Sequence, residues 1–204
     1  MAGVELKLSQ LPNVITVVRI LLVLPTAWLL VAGRYVEALV LMAVAGASDA
    51  LDGALARRFG WISPFGSAMD PVADKLLVAA MFIVFTMQGY IPVWVAAIVL
   101  GRDAVIMTGA GAYRLFFAPI QFAPTLVSKA NTATQIVMLL LLLLGLCGFG
   151  QPSVLAFALV DPWCFYLLAV LGVVSGVDYV FTWGAKAIRQ GRVAPAERAD
   201  RVDE

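Results

Sequence analysis

Histidine is absent from this chain. Without an imidazole there is no histidine nucleophile, which excludes phospholipase D-type chemistry, and a general base, if the chain uses one, is expected to be a carboxylate. Cysteine occurs only at Cys147 and Cys164, both in apolar context near the outer ends of hydrophobic runs. A bridge between them is geometrically conceivable, but cysteines in such settings usually serve as packing residues, and packing is the expectation here. Charge is scarce, at 13% of residues with a net charge of +1, so there is no case for a nucleic-acid partner. No internal repeat is visible, and the Leu139 to Leu144 run reads as lipid-facing helix. The first apolar run is interrupted by Arg19 and is not followed by a clear small-residue cleavage site, so it reads as a retained helix rather than a signal peptide.

What fills the chain is hydrophobic: 62% of its residues, with a mean hydropathy of +0.95. A membrane span takes about 20 mostly apolar residues. Six segments fit, namely Asn13 to Val31, Val36 to Ala56, Ser67 to Gln88, Ile91 to Leu115, Leu126 to Gly148 and Pro162 to Trp183. The runs are continuous and too long for barrel strands, which predicts an all-α integral membrane bundle of six transmembrane helices. Residues 1–185 form the membrane domain and 186–204 a polar cytoplasmic tail. With six spans, Lys7, Arg57, Arg58, Arg114, Lys129 and the tail cations Lys186, Arg189, Arg192, Arg198 and Arg201 share one side, opposite Arg34 alone. The positive-inside rule then puts both termini in the cytoplasm, with the tail able to lean on anionic headgroups.

Into this apolar background the stretch from Ser48 to Lys75 places Asp49, Asp52, Asp70 and Asp74. Intramembrane carboxylates are costly, rare and functional by default. Helical spacing puts Asp49 and Asp52 on one face and Asp70 and Asp74 on another, and two antiparallel helices joined by a short loop bring all four to one level near the cytoplasmic side. Like charges so close need neutralising, which hard divalent cations with oxygen ligands provide. The pattern predicts a site for two Mg2+ or Mn2+ ions. A purely structural network with Lys75, Arg19 or Arg102 is the plainer account, but those cations are too few for four acids. Gly53 suits either close helix packing or room for a ligand's phosphate, and Arg57 either snorkels or meets that phosphate.

The stretch from Asp49 to Asp74 resembles the signature of the CDP-alcohol phosphotransferase family: two aspartates three apart, Gly53, the Ala56-Arg57 pair, then Gly66, Asp70 and Asp74. The resemblance implies a six-helix membrane enzyme, usually a homodimer, that moves a substituted phosphoryl group from a CDP-linked donor to an alcohol and releases CMP. It makes Asp49, Asp52 and Asp70 metal ligands and Asp74 both a ligand and the general base. It places Gly53, Ala56, Arg57 and Gly66 at the CDP and diphosphate pocket.

Leu11 to Arg19 resembles the amino-terminal stretch of the phosphatidylglycerophosphate synthases and CDP-alcohol-type cardiolipin synthases, which implies CDP-diacylglycerol as donor. Asn13, Thr16 and Arg19 share a helical face and extend the polar pocket, Asn13 and Thr16 toward the nucleotide and Arg19 toward the acceptor; alternatively Asn13 and Thr16 cap the helix. Arg102 and Asp103 lie deep in the fourth run, and neighbours on a helix do not face each other, so each is expected to need an outside partner. Arg102 is assigned to the acceptor, as is Lys129, which equally suits a surface marker. Ser128 and Asn131 stand where the phosphatidylglycerophosphate synthases carry glycine and lysine, and here the chain resembles the cardiolipin synthases more. The expectation is therefore phosphatidyl transfer to phosphatidylglycerol, giving cardiolipin, with glycerol 3-phosphate as the alternative acceptor. A cation-coupled transporter also uses intramembrane acids, but it calls for broken helices or paired repeats near the midplane.

Overall fold

The computed structural model describes residues 11–59, 64–116 and 125–181, with side chains described within 17–47, 72–109 and 125–181. All regular structure among these residues is helical: α1 (Leu11–Val31), α2 (Tyr35–Phe59), α3 (Pro64–Met87), α4 (Val93–Phe116), α5 (Leu126–Leu146), α6 (Gln151–Leu159) and, after a π-helical turn Val160–Cys164, α7 (165–181). Residues 1–10 and the tail over 186–204 lie outside the described residues. Helix α3 begins three residues before Ser67, where its apolar run starts, with Pro64 in its first position, where its missing N–H costs nothing.

Cross-links fix how the helices run. Tyr35, at the start of α2, meets Tyr90, just past α3, with ring centroids 6.5 Å apart, so α2 and α3 are antiparallel. Gln88 donates to the Leu30 carbonyl at 2.8 Å and Arg19 to Asp74 at 2.7 Å, in the same order along both chains, so α1 lies parallel to α3. Arg102 bonds Ser175, and the Tyr179 hydroxyl donates to the Ile106 carbonyl at 3.2 Å, which makes α7 parallel to α4. A β-carbon on Gly172 would stand 2.9 Å from Ile98 Cγ2, so this pair packs at glycine distance. Leu30, Phe82, Phe85, Val99, Leu142 and Leu168 build the shared core, and with Leu139 and Leu143 also buried there the Leu139 to Leu144 run faces inward on one side, which corrects the expectation that it faces lipid.

Two helical stretches, Leu126–Leu146 and Gln151–Phe181, are long and apolar enough to cross a membrane among the described residues. The second contains the break the sequence did not announce: Asp161 has φ −108 and ψ 118, and Pro162 lacks the N–H that would continue the ladder. Gly148 and Gly150, at φ 70 and 75, turn the chain from α5 into α6. Ser153 ties the turn down, donating to the Leu144 carbonyl at 2.7 Å and accepting from the Phe149 amide at 2.9 Å. Cys147 and Cys164 are free thiols, partly buried, as packing residues would be.

The α5–α6 hairpin closes tightly at Gly145, where an added β-carbon would lie 2.8 Å from Phe157 Cδ2. Gly145→Val is expected to cost about 1–3 kcal/mol by overpacking, read as a lowered thermal midpoint of the detergent-solubilised protein. A wild-type midpoint would show that Phe157 swings aside freely.

Candidate active site

Asp74 occupies the side of α3 turned toward α1, where its Oδ1 accepts from Arg19 Nη1 at 2.7 Å. The pair is lopsided, with Arg19 6% exposed and Asp74 56%. The guanidinium is sunk in the bundle, whereas much of the carboxylate remains open to a further ligand. Both residues edge a cavity of about 240 Å³ between α1, α2, α3 and α5. Its other walls are apolar or glycine, among them Met42 and Gly46 of α2, Leu77 and Met81 of α3, and Ile136 and Leu140 of α5.

The backbone carries Asp49 and Asp52 on α2 and Asp70 on α3, but their side chains lie outside those described. The same holds for Gly53, Ala56, Arg57, Gly66, Asn13 and Thr16. Register still places the acids. From the Tyr35–Tyr90 contact, Asp49 lies about 21 Å down α2, and from the end of α3 Asp74 lies about 20 Å down, with Asp52 and Asp70 near one turn beyond. Four hard oxygen donors at one end of two antiparallel helices suit a divalent-cation site. Among the described residues, no three histidine, cysteine or acidic side chains gather elsewhere to offer a rival one.

A second polar cluster sits on the other side of α3. Lys75 donates to Asp103 Oδ2 at 2.6 Å and lies 3.4 Å from the Thr132 hydroxyl. Asp103 Oδ1 accepts from Arg102 Nη1 at 2.6 Å, which corrects the expectation that these neighbours cannot neutralise one another. Their β-carbons do diverge, but the arginine stem is long enough to fold its guanidinium back onto the adjacent carboxylate. Each also has the outside partner the helix geometry called for. Arg102 reaches Ser175 through Nε at 3.2 Å and Nη2 at 2.6 Å, and Ser128 through Nη2 at 2.5 Å. Lys75 serves Asp103. Arg102 thus ties α4, α5 and α7 together with most of its donors engaged. Lys129 is exposed on the first turn of α5, where the Thr125 side chain accepts from the Ser128 amide at 3.3 Å. Ser175 was missed in the sequence because a serine between Gly172 and Gly176 reads as a packing residue. Its signal is the need of a buried arginine for acceptors.

Residues 9–183 match the family model described as CDP-alcohol phosphatidyltransferase. Among similar proteins, a probable cardiolipin synthase (CMP-forming) of Drosophila melanogaster is 33% identical over 145 residues, covering 63% of this chain and 45% of that protein. A CDP-diacylglycerol–glycerol-3-phosphate 3-phosphatidyltransferase of Pseudomonas fluorescens is 35% identical, with 78% of this chain and 82% of that one covered. A cardiolipin synthase (CMP-forming) of Streptomyces coelicolor is 29% identical, with 95% and 87% covered. The chain spans about half the length of its animal relatives and most of the bacterial ones. With the family model running over nearly the whole chain and the aspartate motif carried on α2 and α3, the protein belongs to the CDP-alcohol phosphatidyltransferase family.

Proposed function

We propose that this protein is a six-span membrane phosphatidyltransferase that moves a phosphatidyl group from CDP-diacylglycerol to a hydroxyl of phosphatidylglycerol, releasing CMP and forming cardiolipin. The observation that carries the reading is an open carboxylate, Asp74, paired with Arg19 at the edge of a cavity whose other walls are apolar or glycine. A charged reaction centre abutting an apolar slot suits a donor that is nucleotide at one end and lipid at the other. Outward-facing Leu24, Met87, Val93 and Phe181, each more than seven-tenths exposed, suit a lipid environment, as do the two long apolar helices. Both termini and the acid-bearing ends of α2 and α3 face the cytoplasm, and a homodimer is the expected assembly.

Asp49, Asp52, Asp70 and Asp74 would hold two Mg2+ or Mn2+ ions, whose charge would neutralise the donor diphosphate and the leaving CMP. Asp74 takes the proton of the acceptor hydroxyl. That oxygen then bonds to the phosphorus bearing diacylglycerol, and the bond from this phosphorus to the CMP oxygen breaks. Gly53, Ala56, Arg57, Gly66, Asn13 and Thr16 would serve the nucleotide side. Of the residues assigned to the acceptor, exposed Lys129 is the readiest, because Arg19 is engaged with Asp74 and Arg102 with Asp103 and two serines.

Glycerol 3-phosphate is the second reading, favoured by the name of the Pseudomonas relative. Purified protein given CDP-diacylglycerol, Mg2+ or Mn2+ and, in parallel, phosphatidylglycerol, glycerol 3-phosphate or inositol phosphate is expected to release CMP fastest with phosphatidylglycerol. Preference for glycerol 3-phosphate would move the assignment to phosphatidylglycerophosphate synthesis. Absence of CMP with every acceptor, alongside cation flux in vesicles, would replace the enzyme by a transporter.

A further inference from the structure

Asp74 and Lys75 are consecutive on α3, so their side chains leave the helix about 100° apart. The first goes to Arg19 of α1 and the second to Asp103 of α4. Lys75 and Asp103 are both largely buried, at 22% and 10% side-chain exposure. Asp103 spends one oxygen on Lys75 and the other on Arg102, at 2.6 Å each. Without that carboxylate, two cations in a half-dry interior would be left without their anion. Lys75, on a flexible four-carbon stem, adjoins the acid-bearing segment of α3.

The geometry points to Asp103 as a positioning residue that keeps Lys75 turned away from the aspartate cluster, so that Asp49, Asp52, Asp70 and Asp74 stay available to divalent cations rather than to the protein's own ammonium. This rests on the metal-site reading given above. Among the described side chains, Arg19, Lys75 and Arg102 bring three positive charges to this level against the two negative charges of Asp74 and Asp103. A freed lysine is therefore drawn to the remaining acids, where it opposes a dication both by occupying carboxylate oxygens and by like-charge repulsion. Because the defect lies in the charge released, removing that charge should cure it. A merely structural ion pair predicts loss on removing either member, because each leaves the other's charge buried and unpaired, whereas here the loss of Asp103 alone should weaken the site.

The test is Mn2+ binding to the purified full-length protein, followed by electron paramagnetic resonance, in the wild type, Asp103→Asn, Lys75→Met and the double variant. Asp103→Asn is expected to weaken Mn2+ binding roughly tenfold. The double variant should return to within about twofold of the wild type, and Lys75→Met alone should bind at least as tightly as the wild type. Unchanged affinity in Asp103→Asn, or equal weakness in the double variant, would overturn the proposal. Should Asp103→Asn fail to fold, the other two variants decide: loss of Mn2+ affinity in either one rejects it. A wild type that binds no Mn2+ removes the metal-site reading itself, and this proposal with it. A wild type that binds, beside an unaffected Asp103→Asn, removes this proposal alone.

Discussion

Asp74→Asn is expected to lower turnover about a thousandfold while CDP-diacylglycerol binding largely persists. The chain offers no histidine to stand in as base. Asp74 is also the acid whose exposed carboxylate borders the apolar cavity, where a lipid hydroxyl can approach. Asparagine keeps the size and one oxygen acceptor for Arg19, now 2.7 Å away, so the α1–α3 contact has no reason to part. What it loses is the capacity to take a proton and one negative charge toward the proposed divalent cations. Single-turnover CMP release, set against equilibrium binding of the donor, separates these. A fall in release with binding within a fewfold of wild type supports the base, whereas full activity would transfer the proton to another carboxylate of the cluster. In the latter case Asp70→Asn becomes the informative variant, since a set of coupled acids shares its protons.

The helices were legible because apolar runs of bilayer length are hard to read otherwise, and α1 to α5 fall within a few residues of the runs marked in the sequence. The α6 helix and the turn at Asp161 were not legible. Gln151 to Leu159 carries no polar face to give it a period, and a run interrupted by Pro152 and Pro162 reads as a connection. The aspartates announced themselves by cost alone, since four charges in apolar segments demand a reason. Arg19, one of the cations named as a possible partner, does meet Asp74, but the hydroxyls that serve the other buried cations did not announce themselves. Ser128, Thr132 and Ser175 are small residues until a buried guanidinium or ammonium is seen beside them. The Arg102–Asp103 pair was misjudged because helix-face reasoning tracks β-carbons, while an arginine head lies several bonds farther out. What the sequence places well is the backbone position of a group; where a long side chain ends is decided by the cavity around it.

Gly46→Phe is the sharper probe of the lipid end of the site. Gly46 lies on the α2 wall of the cavity beneath Asp74, and a β-carbon there meets nothing within 4 Å, so the substitution intrudes on open space rather than on a packed neighbour. The helix itself gains by losing a glycine. A phenyl group would take up much of a 240 Å³ cavity. If that cavity seats an acyl chain, filling it cannot be judged as lost hydrophobic burial, because the displaced chain simply returns to apolar lipid. The penalty is positional: a chain that cannot enter holds its diphosphate off the reacting geometry, and a misplacement of about 1 Å can cost roughly a hundredfold. The expected result is therefore a loss near that size with a long-chain CDP-diacylglycerol, but only a fewfold loss with a short-chain donor whose tails stop short of Gly46. Equal losses on both donors would point to disturbed aspartates on α2. Unchanged rates would empty the cavity of any part in catalysis and leave the lipid tails lying along the outside of the bundle.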